Sequence, residues 1–430
     1  MGVDYADKMT VDYEGCHGFR GNHGDLSLWI EDFISMSLQD EKENPEERWV
    51  ACIWGQPGIG KTATVKGLSN VPVNWCGKEY KGWNVVDVPA AQFEEMGDIH
   101  GLPDKCVYVW KGLGKDKLGH WVSCEPDILN GWKNDGWNVD YKKGTRTMYS
   151  PPDFVPSEPG PSIILIDDAN RTSQRILKGM MQLFQTHGTV SWKLPPGCVI
   201  ILTGNPGMQD FMVTDMDSAI LTRMKHFTLM HSAKDWVMWA TDNDLDPRGI
   251  SYVSRYEEMM IGHTLTNPRS LSEFFRFLKK VPELTDAADL KRVQMYAHGL
   301  LDDDTVSSIM TFFQRDVELV IDPEDILNGE DWIDGHMKKL SEGAKNKKTG
   351  EKETRVDIIA VTVDRLFAYI CKADVEASEE NIKNFQKFVT SKYLLDDIRH
   401  NLCMRVFRKK GMQKWLLNNR ELTNLVMEVV

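Results

Sequence analysis

Gly55-Gln56-Pro57-Gly58-Ile59-Gly60-Lys61-Thr62 follows the apolar run Arg48-Trp-Val-Ala-Cys-Ile-Trp54 and precedes Ala63-Thr-Val-Lys-Gly-Leu68. The run before it is rich in β-branched and aromatic residues and reads as a buried strand; the segment after it reads as a helix. Between them, the octapeptide matches G-x-x-x-x-G-K-[ST] in full. Gly55, Gly58 and Gly60 allow backbone N–H groups to turn inward around a phosphate chain. The start of the following helix adds a favourable dipole. Lys61 has the reach for β- and γ-phosphates, and the Thr62 hydroxyl can hold Mg²⁺. Residues 55–62, with Ala63 behind them, form the expected nucleotide-binding segment.

A glycine loop needs metal- and water-handling groups at the ends of neighbouring parallel strands. Ser162-Ile-Ile-Leu-Ile-Asp167-Asp168 supplies four consecutive apolar residues and then two carboxylates. Asp167 is placed to hold Mg²⁺ through water, and Asp168 to orient or deprotonate an attacking water. A third strand, Cys198-Val-Ile-Ile-Leu-Thr203, ends in Gly204-Asn205-Pro206-Gly207. The Asn205 amide at that strand end could meet the γ-phosphate or the water. Asn170-Arg-Thr172 matches a glycosylation sequon, but beside such a strand it reads as a coincidence.

Together GQPGIGKT, IILIDDANRT, ILTGNPG, SAILTRM and NPRSL, in this order, resemble the AAA+ superfamily and more closely its MoxR-type, dynein-related members. The resemblance spans about residues 17–330. It implies an α/β P-loop core, with a parallel five-stranded sheet and helices on both faces, followed by a helical lid. It makes Lys61 and Thr62 the Walker A pair, Asp167 the Walker B metal carboxylate and Asn205 sensor 1. Arg223 in SAILTRM matches the arginine finger that enters a neighbour's site, and Arg269 in NPRSL matches the sensor 2 arginine. Arg171 matches the arginine of the family's N-R dipeptide, with no role assigned. Asp168 departs from the family, which usually has Glu there; its carboxylate sits roughly 1.5 Å short, which puts the hydrolysis rate, not nucleotide binding, in question.

The resemblance further implies ATP and Mg²⁺ as cofactors and a homo-oligomeric ring, most simply a hexamer. It also implies a protein partner that the ring remodels or activates, for this family often one with a von Willebrand factor A domain. Two other functions compete. A nucleic-acid motor of the restriction-translocase kind is disfavoured by the net charge of −13 and by the lack of a recognisable DNA module. A nucleotide-controlled scaffold that hardly hydrolyses ATP is kept open by Asp168.

The expected division is an α/β core at 1–231, a helical lid at 232–335, a charged linker at 336–355 and a helical C-terminal extension at 356–430. The core carries an N-terminal helix over Asp25–Leu38 and a long insertion at about 97–155, within which 104–155 reads as an elaborated hairpin. His187–Gly197 reads as a second hairpin, before Asn205. His17–Gly24 reads as a loop near the nucleotide base, with His17 and His23 as exposed loop histidines rather than base contacts. Arg405, Arg408, Lys409, Lys410 and Lys414 read as a solvated basic helix face. The eight cysteines form no C-x-x-C pair, and several lie in apolar runs, as expected for buried thiols in a reducing compartment. No stretch approaches the ~18 apolar residues of a membrane span. The acidic start MGVDYADKMT carries no signal pattern, and Ala6 spoils a myristoylation motif. A cytoplasmic protein of a bacterial cell is expected, with encoding by a virus or mobile element left open.

Overall fold

The computed structural model describes residues 15–45, 48–112, 118–207, 213–261, 264–281, 287–315, 319–342, 344–345, 352–353, 355–372, 375–416, 419 and 422–423. The chain divides into two compact units, one over Asp12–Met230 and the other from His231 onward.

The first unit is an α/β P-loop core. Its strands, in chain order, are β1 (Phe19–Gly21), β2 (Val50–Trp54), the small hairpin β3 (Val73–Trp75) and β4 (Lys78–Tyr80), β5 (Asn84–Pro89), β6 (Leu102–Lys111), β7 (Leu118–Ser123), β8 (Asn138–Ser150), β9 (Ser162–Asp167), β10 (Cys198–Gly204) and β11 (Met224–Leu229). Six of them form one parallel sheet in the order β1-β11-β2-β10-β9-β5. The five expected strands are thus joined by a sixth, β1, where the sequence reads as a loop. Three residues are too few for a period of two to show, and β1 exists through its pairing of Phe19–Gly21 with Phe227–Leu229.

Side-chain alternation along the strands divides the core between two faces. Ala51, Ile53, Ile163, Leu165, Val199 and Ile201 pack with Leu26, Ile30, Phe33 and Ile34 of helix α1 (His23–Glu43). Asn22 and Asp25 start α1 with a reciprocal capping box. On the other face Cys52, Ile164, Ile166, Ile200 and Leu202 pack with Ile176, Leu177, Met180, Leu183 and Phe184. Those five side chains belong to one stripe of a later helix, Gln174–Thr186. Both faces are covered, which is why β2, β9 and β10 read as continuous apolar runs.

Helix α2 (Lys61–Gly67) follows β2, and the short α3 (Met96–His100) precedes β6. The insertion is a three-stranded antiparallel sheet in the order β7-β6-β8, with α4 (Pro126–Asn134) between β7 and β8. Val107, Val109 and Val122 form a small core with Leu129, Trp132, Trp137 and Val139. The hairpin read over 104–155 is β6 with β7, and β8 extends it to three strands by returning along the other edge of β6. The later helix at Gln174–Thr186 is α5, and α6 (Ser218–Leu221) precedes β11. After α5 a single antiparallel bridge, Gly188 with Lys193, marks a tight turnback.

The second unit is mainly helical: α7 (Ala233–Asp242), α8 (Pro247–Arg255), α9 (Pro268–Leu278), α10 (Ala287–His298), α11 (Asp303–Arg315), α12 (Pro323–Asn328), α13 (Trp332–Glu342), α14 (Val356–Ile370), α15 (Glu379–Val389) and α16 (Asp396–Arg408). The stretch read as a charged linker is partly ordered secondary structure. Helix α13 runs to Glu342 and buries Ile333, Met337 and Leu340, and Ala344–Lys345 pairs with Lys352–Glu353. Its apolar positions, three or four apart, are hidden among lysines and acids. Arg405 is not a free surface charge either, since it pairs with Asp364 and lies 4.2 Å from the Phe367 ring centre. Among the described residues, no helix is long and apolar enough to cross a membrane. Cys76, in the β3–β4 turn, is exposed, unlike the buried Cys52, Cys106, Cys198 and Cys403.

Candidate nucleotide site

The C-terminal ends of β2, β9 and β10 lie side by side, with Thr203 paired to Ile53, Gly204 to Trp54 and Leu202 to Ile166. The glycine loop leaves β2 there. Gly55, Gly58 and Gly60 have φ of +150°, +78° and +105°, a region costly for any side chain. At Gly55 a Cβ would lie 2.7 Å from Ile59 Cδ1 and 2.9 Å from the Leu229 carbonyl oxygen. The Gly55 N–H donates to the Gly204 carbonyl at 3.2 Å, tying the loop to the end of β10. His23, in the first turn of α1, holds the loop from behind: its Nε2 donates to the Ile59 carbonyl at 3.0 Å. His23 is therefore a half-buried loop support, not the exposed loop residue expected. His17 is exposed, and its ring packs edge-on to Trp54 at 5.5 Å.

Lys61 points into the loop and is 6% exposed. Its ammonium donates to the carbonyls of Gly55 (2.7 Å) and Gln56 (2.9 Å) and to Asn205 Oδ1 (3.1 Å). Three donors meet three acceptors, which is what a buried cation requires. Burial lowers its pKa from the ordinary lysine value to about 8, while Asp168 and Asp167 pull it back up.

The carboxylates sit across from it. Thr62 Oγ1 and Thr203 Oγ1 both donate to Asp167 Oδ1, at 2.7 and 2.6 Å. The Asp168 N–H donates to Thr203 Oγ1 at 2.9 Å, and Asn205 Nδ2 donates to Asp168 Oδ1 at 2.7 Å. Arg171 Nε lies 3.5 Å from Asp168 Oδ2. Asp168 has φ +51° and ψ +44°, the left-handed region. Asp and Asn tolerate that region better than longer side chains do, a physical reason for Asp at this position.

Lys61, Thr62, Asp167, Asp168 and Asn205 therefore form one hydrogen-bonded network, joined through Thr203 and bracketed by Asn170. Sequence reading missed two of its members. Thr203 looked like an ordinary strand residue; its signal was its place at a strand end beside the carboxylates. Asn170 was set aside as part of a sequon, yet its amide brackets Asn205, with Nδ2 donating to the Asn205 carbonyl at 2.7 Å and Oδ1 accepting from the Asn205 N–H at 3.0 Å. Arg223 lies apart from this network, on the turn after α6, where it bonds Gln185 Oε1 at 3.3 Å and the Ala219 carbonyl. Arg269 belongs to the other unit. It is exposed in the first turn of α9, where Asn267 caps its backbone N–H at 3.0 Å.

The donor set suits a triphosphate and a hard cation. The loop is a backbone cradle that side chains would fill, Lys61 is a buried cation beside it, and Thr62 and Asp167 offer oxygens only. Among the described residues, no group of three or more His, Cys, Asp or Glu could hold a metal by itself. The available chemistry fits Mg²⁺, which keeps water and phosphate oxygens as ligands.

No protein-family model and no curated relative matches the chain. Similar solved structures include Hsp104 in a closed-state cryo-EM reconstruction with ATPγS and FITC-casein, at a TM-score of 0.30 and 14% identity. That match covers 52% of this chain, which spans only 37% of the Hsp104 chain. Two mutants of RuvB from Thermotoga maritima match at TM-scores of 0.30 and 0.31, with 11% and 12% identity. Both cover 74% of this chain, and 78% and 77% of theirs. Similarity at this level fixes neither a family nor the chemistry of the site.

Proposed function

We propose that this protein is an ATP-binding and ATP-hydrolysing AAA+ ATPase of the MoxR type, which works as a ring and remodels or activates a protein partner. The observation that carries the reading is the continuous network from Lys61 through Asn205 to Asp168, with Thr62 and Asp167 beside it. In this reading the 55–60 backbone and Lys61 hold the phosphates. Thr62 and Asp167 hold Mg²⁺, which when bound neutralises developing phosphate charge. Asp168 orients the attacking water and takes its proton, and Asn205 holds the γ-phosphate or that water. Arg223, outside its own subunit's network, serves the site of a neighbour, and Arg269 serves as the sensor of the helical unit. A partner bearing a von Willebrand factor A domain is the expectation carried over from the resemblance.

A second reading, a nucleotide-controlled scaffold, is favoured by one observation: both Asp168 oxygens already face donors, Asn205 and Arg171. Turnover separates the two.

The ring is tested by complementation. Arginine fingers contribute about 10³–10⁵ in rate, so Arg223→Ala should bind ATP and hydrolyse it very slowly. Lys61→Ala should fail to bind yet still present its own Arg223. Mixing the two inactive proteins should restore activity at the mixed interfaces. Mixed assemblies, verified by tag pull-down, that stay inactive would show that Arg223 does not act between subunits.

A further inference from the structure

Asn205 faces two charged groups with opposite demands, and its amide must be held the right way round. Lys61 can only donate, so Asn205 must present Oδ1 to it; the Asp168 carboxylate accepts, so Asn205 must present Nδ2. What fixes the backbone from which that side chain projects is Asn170. Its amide meets both the N–H and the C=O of Asn205, at 3.0 and 2.7 Å, in a closed two-bond ring. Both residues are buried, with Asn170 4% and Asn205 1% exposed. Asn170 is anchored in turn. Its carbonyl accepts from the Thr214 N–H at 2.7 Å, and Thr214 Oγ1 donates to the Thr172 carbonyl at 2.7 Å. Asp217, three residues beyond Thr214, caps α6, whose following turn carries Arg223.

We infer that Asn170 is a positioning residue for hydrolysis: it aims the Asn205 amide between Lys61 and Asp168, and shares its anchor with the segment that leads to Arg223. The inference rests on the nucleotide reading of the site. Asn170 itself touches neither Lys61 nor Asp168 through its side chain in any bond described, so its effect passes through Asn205. A residue of this kind leaves nucleotide capture to the glycine loop and acts on the alignment of the reacting groups. A misplacement of about 1 Å at reacting groups can cost about 10²-fold in rate.

The test uses the full chain with MgATP and two variants. Asn170→Ala removes both bonds. Asn170→Asp keeps the shape and the acceptor but turns a carboxylate oxygen toward the Asn205 carbonyl. Single-turnover hydrolysis and the calorimetric Kd for ATP are measured together. The inference expects the hydrolysis rate to fall about 10²-fold in both variants while Kd stays within about threefold. If Asn170→Ala does not fold, the isosteric Asn170→Asp carries the same split. Unchanged hydrolysis in a folded variant overturns the inference and leaves the proposed function standing. So does a Kd that weakens in step with the rate, which would mark Asn170 as a mere support of the loop. A wild-type protein that binds no ATP overturns the proposed function itself, and this inference with it.

Discussion

At the scale of single residues, Asp168 and Lys61 carry the sharpest consequences. Asp168 combines left-handed backbone, an N–H held by Thr203 and a 2.7 Å bond from Asn205. The left-handed backbone and the Asn205 bond are matched to a short side chain. Glu in its place would carry the carboxylate past Asn205 from a backbone conformation that costs longer side chains about 1–2 kcal/mol. Asp168→Glu should therefore lower turnover by about tenfold or more; a gain in steady-state hydrolysis would show that Asp168 is only a shortened version of the family's Glu. Lys61 adds a pH dependence. Burial lowers its pKa to about 8, and only the ammonium form attracts phosphate. Between pH 7 and pH 9 the ammonium fraction falls about tenfold, so ATP affinity measured by calorimetry should fall by a similar factor. The sign for folding is opposite: the penalty for burying the charged lysine is full below pH 8 and relaxes as pH rises toward the unfolded value. A flat affinity across this range would place Lys61 outside phosphate binding.

At the scale of elements, the join between α1, α5 and β10 is the feature most open to measurement. Arg48 links them, pairing with Glu41 at 3.0 Å and donating to the Cys198 carbonyl at 2.7 Å. His187 closes α5 in left-handed conformation, φ +52°, and its Nε2 donates to the Trp49 carbonyl at 3.3 Å. Burial, and then the Arg48 charge, lower the His187 pKa to about 3. A lowered histidine pKa means that the unfolded chain takes the proton first. The native fold keeps this contribution above the ordinary pKa of 6.5 and loses it as pH falls toward 3. From pH 7 to pH 5 the loss is about 2 kcal/mol. Urea unfolding at the two pH values should show it, and His187→Asn, which tolerates the left-handed backbone, should flatten the slope. An unchanged slope in the variant would assign the acid sensitivity elsewhere.

Elements also show what the sequence could and could not disclose. The strands at Val50–Trp54, Ser162–Asp167 and Cys198–Gly204 were legible because burial on both faces writes an unbroken apolar run. Helix α1 was legible from Trp29, Ile30, Phe33 and Ile34 at helical spacing. The insertion was legible as an elaborated hairpin but not as a three-stranded sheet, since the pairing of Leu102 with Ser150 is decided by contacts 48 residues apart that leave no local pattern. At the site, contiguous motifs pointed to Lys61, Thr62, Asp167, Asp168 and Asn205. Thr203 and Asn170 act by hydrogen bonds between separate strands and loops, and such partners leave no spacing to read.

At the scale of the whole molecule, the chain places the network from Lys61 to Asp168 in one compact unit and Arg269 in another. Arg223 is half-buried in the first, turned onto Gln185 and the Ala219 carbonyl rather than into its own network. In the proposed ring, Arg223 is the residue assigned to a neighbouring copy's site. Whether the proposed ATPase is a motor or a nucleotide-held scaffold turns on one step at Asp168. The most direct measurement is single-turnover hydrolysis of MgATP by the wild-type protein, beside Lys61→Ala and Asp168→Asn. Asn can keep the left-handed backbone of Asp168 but cannot take a proton from water. The expected result is hydrolysis by the wild type and none by either variant, with ATP retained by Asp168→Asn and lost by Lys61→Ala. A wild-type rate no higher than that of Asp168→Asn, or equal ATP binding by the wild type and a folded Lys61→Ala, would contradict the account.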